Sequence, residues 1–168
     1  MTVRFRLTMA QLNPTVGDLA GNAAMVRKAW EEGRAAGADL VALPEMFITG
    51  YQVQDLIKKP AFSQSAMDTL ETLARDCADG PALAVGGPWA FGTSLHNAYW
   101  ICEGGRVVAR VLKHRLPNYN VFDEKRQFEE GALTGPYRIG PLRIGSPISR
   151  GNAERLARVR FLTLPSSR

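Results

Sequence analysis

The 168-residue sequence has only two cysteines and two histidines. Two thiols are too few for a disulfide framework or a zinc site, and Cys77 and Cys102 fit a reducing compartment. Neither His96 nor His114 has a second histidine at ligand spacing, so no metal is expected. No apolar stretch is long enough to cross a bilayer. The opening residues, MTVRFRLTMAQL, lack an apolar run of seven or more ending in a small-residue cleavage site; no membrane association and a cytoplasmic location are therefore expected. Internal repeats and low-complexity tracts are absent from the sequence. Gly86-Gly87-Pro88 and Glu103-Gly104-Gly105 read as turn glycines, and neither matches a phosphate-cradling loop. An excess of one charge is lacking through most of the chain as well. Residues 1–148 hold 16 Lys+Arg against 15 Asp+Glu, whereas residues 149–168 hold five Arg and a single Glu. The sequence pI near 9.6 is thus a property of the tail, and the body presents no electrostatic footprint for nucleic acid.

What is present is an ordinary globular composition, 45% hydrophobic and 22% charged, at a length that buries roughly 70% of the unfolded chain's surface around one core. An apolar run over Phe5–Leu12, closed by Asn13, Pro14 and Gly17, predicts a strand and a turn. Asp18 is placed to cap a helix whose stripe is Met25, Val26, Ala29, Trp30 and Gly33, with Gly37 placed to end it. Asp39–Pro44 is a short apolar run without alternation, as in a strand covered on both faces. A second helix near Ser65–Cys77, striped by Ala66, Leu70, Leu73 and Cys77, leads to a strand at Ala82–Gly86. Leu95–Cys102 and Arg106–Leu112 flank a glycine turn and predict an antiparallel hairpin, so the class is α/β with a mixed sheet. Pro117–Glu130 is too long and too polar for a plain connection and reads as a functional loop. Short strands at Tyr137–Ile139 and Leu142–Ile144 complete the prediction.

Three charged residues could carry chemistry. Glu45 directly follows an apolar strand and Pro44, at the strand end where open α/β sheets gather ligands, although a solvated loop glutamate has the same appearance. Strand parity puts Lys113 on the side of Val107, Ala109 and Val111, with Arg106 and Arg110 on the other. A lysine there either needs a buried partner or snorkels out at the strand end. Glu124 lies among Asp123, Lys125 and Arg126, and is either one of a solvated cluster or the partner of a buried Lys–Glu pair. Cys77 and Cys102 both sit in apolar patterns and read as core residues without a catalytic role.

Three segments carry a resemblance: AQLNPTVGDLAGN (residues 10–22), LPEMFITGYQVQDL (Leu43–Leu56) and KHRLPNYNVFDEKRQF (Lys113–Phe128). In this order and spacing they resemble the carbon–nitrogen hydrolase (nitrilase) superfamily. More narrowly, they resemble the glutaminase domains of glutamine-dependent NAD+ synthetases, from about Arg6 to Ile148. The resemblance implies a nitrilase-like α-β-β-α sandwich and a Glu-Lys-Cys triad that hydrolyses a carboxamide, here L-glutamine, through a thioester. By motif position Glu45 would be the general base, Lys113 the cation that steadies the oxyanion, Glu124 the supporting second glutamate and Tyr119 a contact to glutamine. A thiol with a pKa of about 8.5 needs such a base to become a thiolate, and a fixed ammonium in a dry pocket stabilises developing negative charge. The glutaminase domain itself needs no cofactor. ATP, Mg and deamido-NAD belong to a synthetase domain that receives the ammonia, in a full-length protein the resemblance implies to be a homo-oligomer.

The match has a defect. RIGSPI, Arg143–Ile148, resembles the strand that leads into the nucleophilic cysteine, yet the sequence continues Ser149-Arg150-Gly151. Ser149 stands at the cysteine position, and a hydroxyl served by a Glu–Lys pair without histidine is poorly activated. The expectation is therefore a partial domain over residues 1–148, roughly the first half of the sandwich. A reading frame that shifts near codon 149 would then leave an unmatched Arg-rich tail over 149–168. Such a chain, without the nucleophile and the synthetase domain, is expected to be inactive alone. Two other functions fit the sequence. One is a stand-alone amidase of a different substrate. The other is a non-catalytic binding remnant, whose Arg150, Arg155, Arg158, Arg160 and Arg168 would dock on an acidic partner.

Overall fold

A computed structural model describes residues 4–119, 122–146 and 148. The chain opens β-α-β. Strand β1 (Leu7–Met9) leads through a turn to helix α1 (Leu19–Ala35), and β2 (Leu40–Ala42) follows. The Asp18 carboxylate accepts a hydrogen bond from the Gly21 amide at 2.9 Å, which satisfies one of the free donors of the first turn. Gly37 ends the helix with φ +69°, a conformation that costs a glycine little. A short 3₁₀ turn over Gln54–Lys58 precedes helix α2 (Pro60–Asp76). This helix starts at Pro60 rather than near Ser65, because a proline at the first helical position forfeits no hydrogen bond. Strands β3 (Ala82–Phe91), β4 (Ser94–Glu103) and β5 (Arg106–Leu112) complete a sheet of order β1-β2-β3-β4-β5. The first three strands run parallel and the last two are antiparallel additions.

Each face of this sheet has its own apolar layer. Val41, Leu83, Val85, Trp100 and Cys102 pack under the stripes of α1 and α2, where Val26, Trp30, Ala66, Leu70, Leu73 and Cys77 are all buried. On the other face Leu40, Ala82, Ala84 and Ile101 meet a small hairpin of β8 (Tyr137–Ile139) and β9 (Leu142–Ile144). At the end of β1, Met9 remains 78% exposed.

Three sequence expectations are corrected. Of Phe5–Leu12 only Leu7–Met9 pairs as a strand. Gly86-Gly87-Pro88 is not a turn but the middle of β3, paired with Tyr99, Ala98 and Asn97. Strict parity along β5 also fails, because a bulge opposite Ile101/Cys102 inserts one extra residue. Val107 therefore packs on the helix side, while Ala109 and Val111 lie on the opposite face. Beyond the bulge the alternation is intact, and Lys113 follows Val111. The loop expected over Pro117–Glu130 contains a two-residue pairing of β6 (Asn118–Tyr119) with β7 (Phe122–Asp123) and a 3₁₀ turn at Glu124–Arg126.

Candidate functional site

Glu45 is carried on a segment that is locked to the sheet before any side chain is considered. The Leu43 amide donates to the Ala84 carbonyl at 2.8 Å, the Gly86 amide to the Pro44 carbonyl at 3.2 Å, and the Ile48 amide to the Gly86 carbonyl at 3.1 Å. Met46, Phe47, Ile48 and Thr49 are all buried. Fully buried Asn22 donates to the Thr15 and Ile48 carbonyls at 2.8 and 3.0 Å, so α1 holds the far end of the segment. Met46 adopts φ +49°, a left-handed conformation that side chains other than glycine rarely take and that surrounding contacts must enforce. The result is a glutamate at the carboxyl end of β2, its side chain 31% exposed.

The structure brings Glu45, Lys113 and Glu124 together. Lys113, one residue beyond β5 and anchored by its amide to the Asn97 carbonyl at 2.9 Å, is 2% exposed. Its ammonium donates to Glu45 Oε1 at 2.7 Å and to Glu124 Oε1 at 2.9 Å. It also lies 2.9 Å from Glu124 Oε2, an oxygen that accepts no hydrogen bond. Of the alternatives left by the sequence, the buried Lys–Glu pair is the one the fold adopts, since Glu124 is 4% exposed. Its neighbours Asp123 and Arg126 form the expected exposed pairs, 2.7 Å apart, with Asp55 joining Arg126 at 2.8 Å. Burial pushes the Glu124 carboxyl above the usual carboxylate range, and the Lys113 ammonium pulls it back part of the way. Tyr51 donates its hydroxyl to Glu124 Oε1 at 3.0 Å. Burial and that carboxylate raise the phenol's pKa, so it stays a protonated donor. A pocket bordered by Tyr51, Gln52, Gln54, Glu124 and Arg126 opens beside this cluster.

Two further residues shape the site and were not singled out by sequence reasoning. Asn97, fully buried on β4, donates to Glu45 Oε1 at 2.7 Å. Gly86 lets the Glu45 backbone cross β3 at a distance no side chain would allow. Their signals were a lone amide in an apolar strand and a glycine inside an apolar run, the latter a known mark of close backbone approach. Tyr119 has its backbone in β6, but its side chain, like Ser149 and the tail over 149–168, lies outside the described residues.

Both thiols are remote from this chemistry. Cys77 caps α2 and Cys102 is the penultimate residue of β4, both buried under the helix layer. Burial pushes Cys77 up to about 11 and Cys102 up to about 12. Neither should react with iodoacetamide at pH 7.5 in the folded protein, and both should be alkylated in urea. Mass spectrometry would read this directly, and alkylation of either native thiol would overturn their assignment to the core.

A mixed sheet with helices on one face thus carries a buried carboxylate–ammonium–carboxylate cluster at its strand ends. The family model described as carbon-nitrogen hydrolase matches residues 6–150, and the chain belongs to that family. Its curated relatives narrow the branch. It is 57% identical over 148 residues to a glutamine-dependent NAD+ synthetase of Rhodobacter capsulatus, an alignment covering 88% of this chain and 27% of the relative. It is 34% identical to the glutamine-dependent NAD+ synthetase of Thermotoga maritima, with 86% and 25% covered. Among solved structures, a glutamine-dependent NAD+ synthetase from Cytophaga hutchinsonii matches with a TM-score of 0.74 at 27% identity, over 79% of this chain and 23% of that one. An amidase from Nesterenkonia sp. shares the fold, with a TM-score of 0.66 at 23% identity over 84% of this chain and 51% of that one. The chain spans about a quarter of the length of these curated relatives, so its sheet and helices are a partial nitrilase-like domain.

Proposed function

We propose that residues 1–148 are part of a glutamine amidohydrolase domain, in which Glu45 is the general base, Lys113 the cation for the tetrahedral oxyanion and Glu124 the carboxylate that keeps Lys113 charged and fixed. The observation that carries this reading is the Lys113 ammonium, almost wholly buried and held 2.7 and 2.9 Å from two carboxylates. A buried ammonium survives as a cation only with such partners. Once fixed, it needs no reorganisation when negative charge develops on a substrate carbonyl oxygen. Glu45 is suited to the base role because it is the more exposed of the two carboxylates, with its segment clamped from both ends. In the complete protein the ammonia released from L-glutamine would serve ATP-dependent amidation of deamido-NAD to NAD+. Tyr119 remains the residue we assign to the glutamine side chain.

The nucleophile is the missing part. Cys77 and Cys102 are core residues, and Ser149 takes the motif position of the thiol. We read residues 149–168 as the product of a shifted frame, because the family resemblance and the charge balance change at the same place. The test is release of glutamate from L-glutamine by two proteins. One is the chain as it stands; the other is the product of a nucleotide sequence, read again across the codons for Arg143–Arg168, in which a frame correction restores cysteine after Ile148. The first should release none and the second should turn over. Turnover by the first would overturn the reading of Ser149, and a restored protein that hydrolyses other small amides but not glutamine would make it an amidase of a different substrate.

A further inference from the structure

The Glu45 carboxylate is gripped at one oxygen only. Lys113 Nζ and Asn97 Nδ2 both donate to Oε1, each at 2.7 Å, and Oε2 has no hydrogen-bond partner among the described residues. Asn97 is 0% exposed, and its own Oδ1 is buried without a partner. As a folding element this is a poor arrangement. An unpaired buried amide oxygen costs about 1–3 kcal/mol, and an apolar side chain of the same shape avoids that penalty. Ile101, on the same face of β4, is a fully buried apolar residue. Only one of the Asn97 contacts compensates for the amide, and that contact is to Glu45.

We propose that Asn97 is a positioning residue for Glu45. It shares Oε1 with Lys113 and so turns Oε2, the free oxygen, toward the place where the proton of the nucleophile is taken. Two donors on one oxygen fix the rotation of the carboxyl group. The register makes this possible. The Asn97 carbonyl accepts the Lys113 amide at 2.9 Å, so one residue sets the lysine through its backbone and the glutamate through its side chain. The amide also cannot turn over, because the reversed orientation would set Oδ1 against the carboxylate oxygen.

The proposal rests on Glu45 being the base, but its test needs no turnover and can fail separately from that reading. In the 168-residue chain, labelled for carboxyl-detected NMR, the Asn97→Leu variant should keep the melting temperature of the parent or exceed it. Its Glu45 side-chain carboxyl signal should move and broaden at a fixed pH of about 7.5, because one of the two donors that fix its rotation is gone. A lowered melting temperature with an unmoved Glu45 carboxyl signal would make Asn97 structural only and would overturn the proposal. Should the leucine variant not fold, the unmodified chain still decides. The Asn97 side-chain amide signals should be displaced downfield by their charged acceptor, and Glu45→Gln should remove that displacement. Amide signals indifferent to Glu45 would overturn the proposal in the same way.

Discussion

Lys113→Met should lower the unfolding free energy by about 3–5 kcal/mol at pH 7.5, the range expected when one partner of a buried ionic cluster is removed. The methionine keeps most of the packing of the lysine stem, so the loss falls on the charges. Glu124, with 5% of its side chain exposed, would face Glu45 with no cation between them, and the Tyr51 hydroxyl is its one other side-chain hydrogen-bond donor among the described residues. The pH dependence separates this cause from packing. Without the lysine the Glu124 carboxyl must rise further above its unfolded value, since burial already pushes it up from 4.5 with the cation present. A carboxyl raised in the folded state binds more protons there than in the unfolded chain, so stability falls as pH rises from the unfolded value through the folded one. The gap between variant and parent should therefore be small near pH 4.5 and widen toward pH 7.5. Urea unfolding followed by the fluorescence of buried Trp30 and Trp100 would read it. A gap of constant size across that range would assign the effect to packing and sink the electrostatic account.

This cluster was legible in the sequence only through its motifs. Periodicity finds elements whose apolar residues repeat, and both helices and the β4–β5 hairpin emerge that way because their apolar residues face the layers on either side of the sheet. Parity placed Lys113 on the Val111 face but could not choose between a buried partner and a snorkelling side chain. The choice depends on Glu124, which the Pro117–Glu130 segment brings back across the strand end. Parity also fails locally at Val107, since a bulge leaves no mark on the alternation of a strand that is apolar on both faces. The glycines of β3 misled for a different reason. Gly86-Gly87-Pro88 has turn chemistry, and only the tertiary demand of the Glu45 segment makes the same residues the middle of a ten-residue strand. Asn97 is invisible to pattern analysis because its worth lies in one contact to a residue far along the chain.

Gly86 should be the least replaceable glycine of the site. A Cβ built there would lie 2.6 Å from both the Pro44 carbonyl oxygen and the Glu45 carbonyl carbon, and closer still to the Met46 amide nitrogen. All three obstacles are backbone atoms, which cannot rotate away as a side chain could. They belong to a segment whose burial and hydrogen bonds oppose its displacement. Gly86→Ala must therefore push the Glu45 segment off β3, lengthening the Gly86–Pro44 and Ile48–Gly86 hydrogen bonds that hold it. Overpacking of this kind costs about 1–3 kcal/mol, and the upper end applies where backbone has to move. The same shift would draw Glu45 Oε1 away from Lys113 and Asn97, lengthening the two 2.7 Å hydrogen bonds that hold it. Gly135→Ala is the control, since a methyl added there would meet nothing within 4 Å and its φ lies outside the left-handed region; it should change stability by less than about 0.5 kcal/mol. Equal effects of the two substitutions would mean that the Glu45 segment is free to move, and its preset geometry would lose its physical basis.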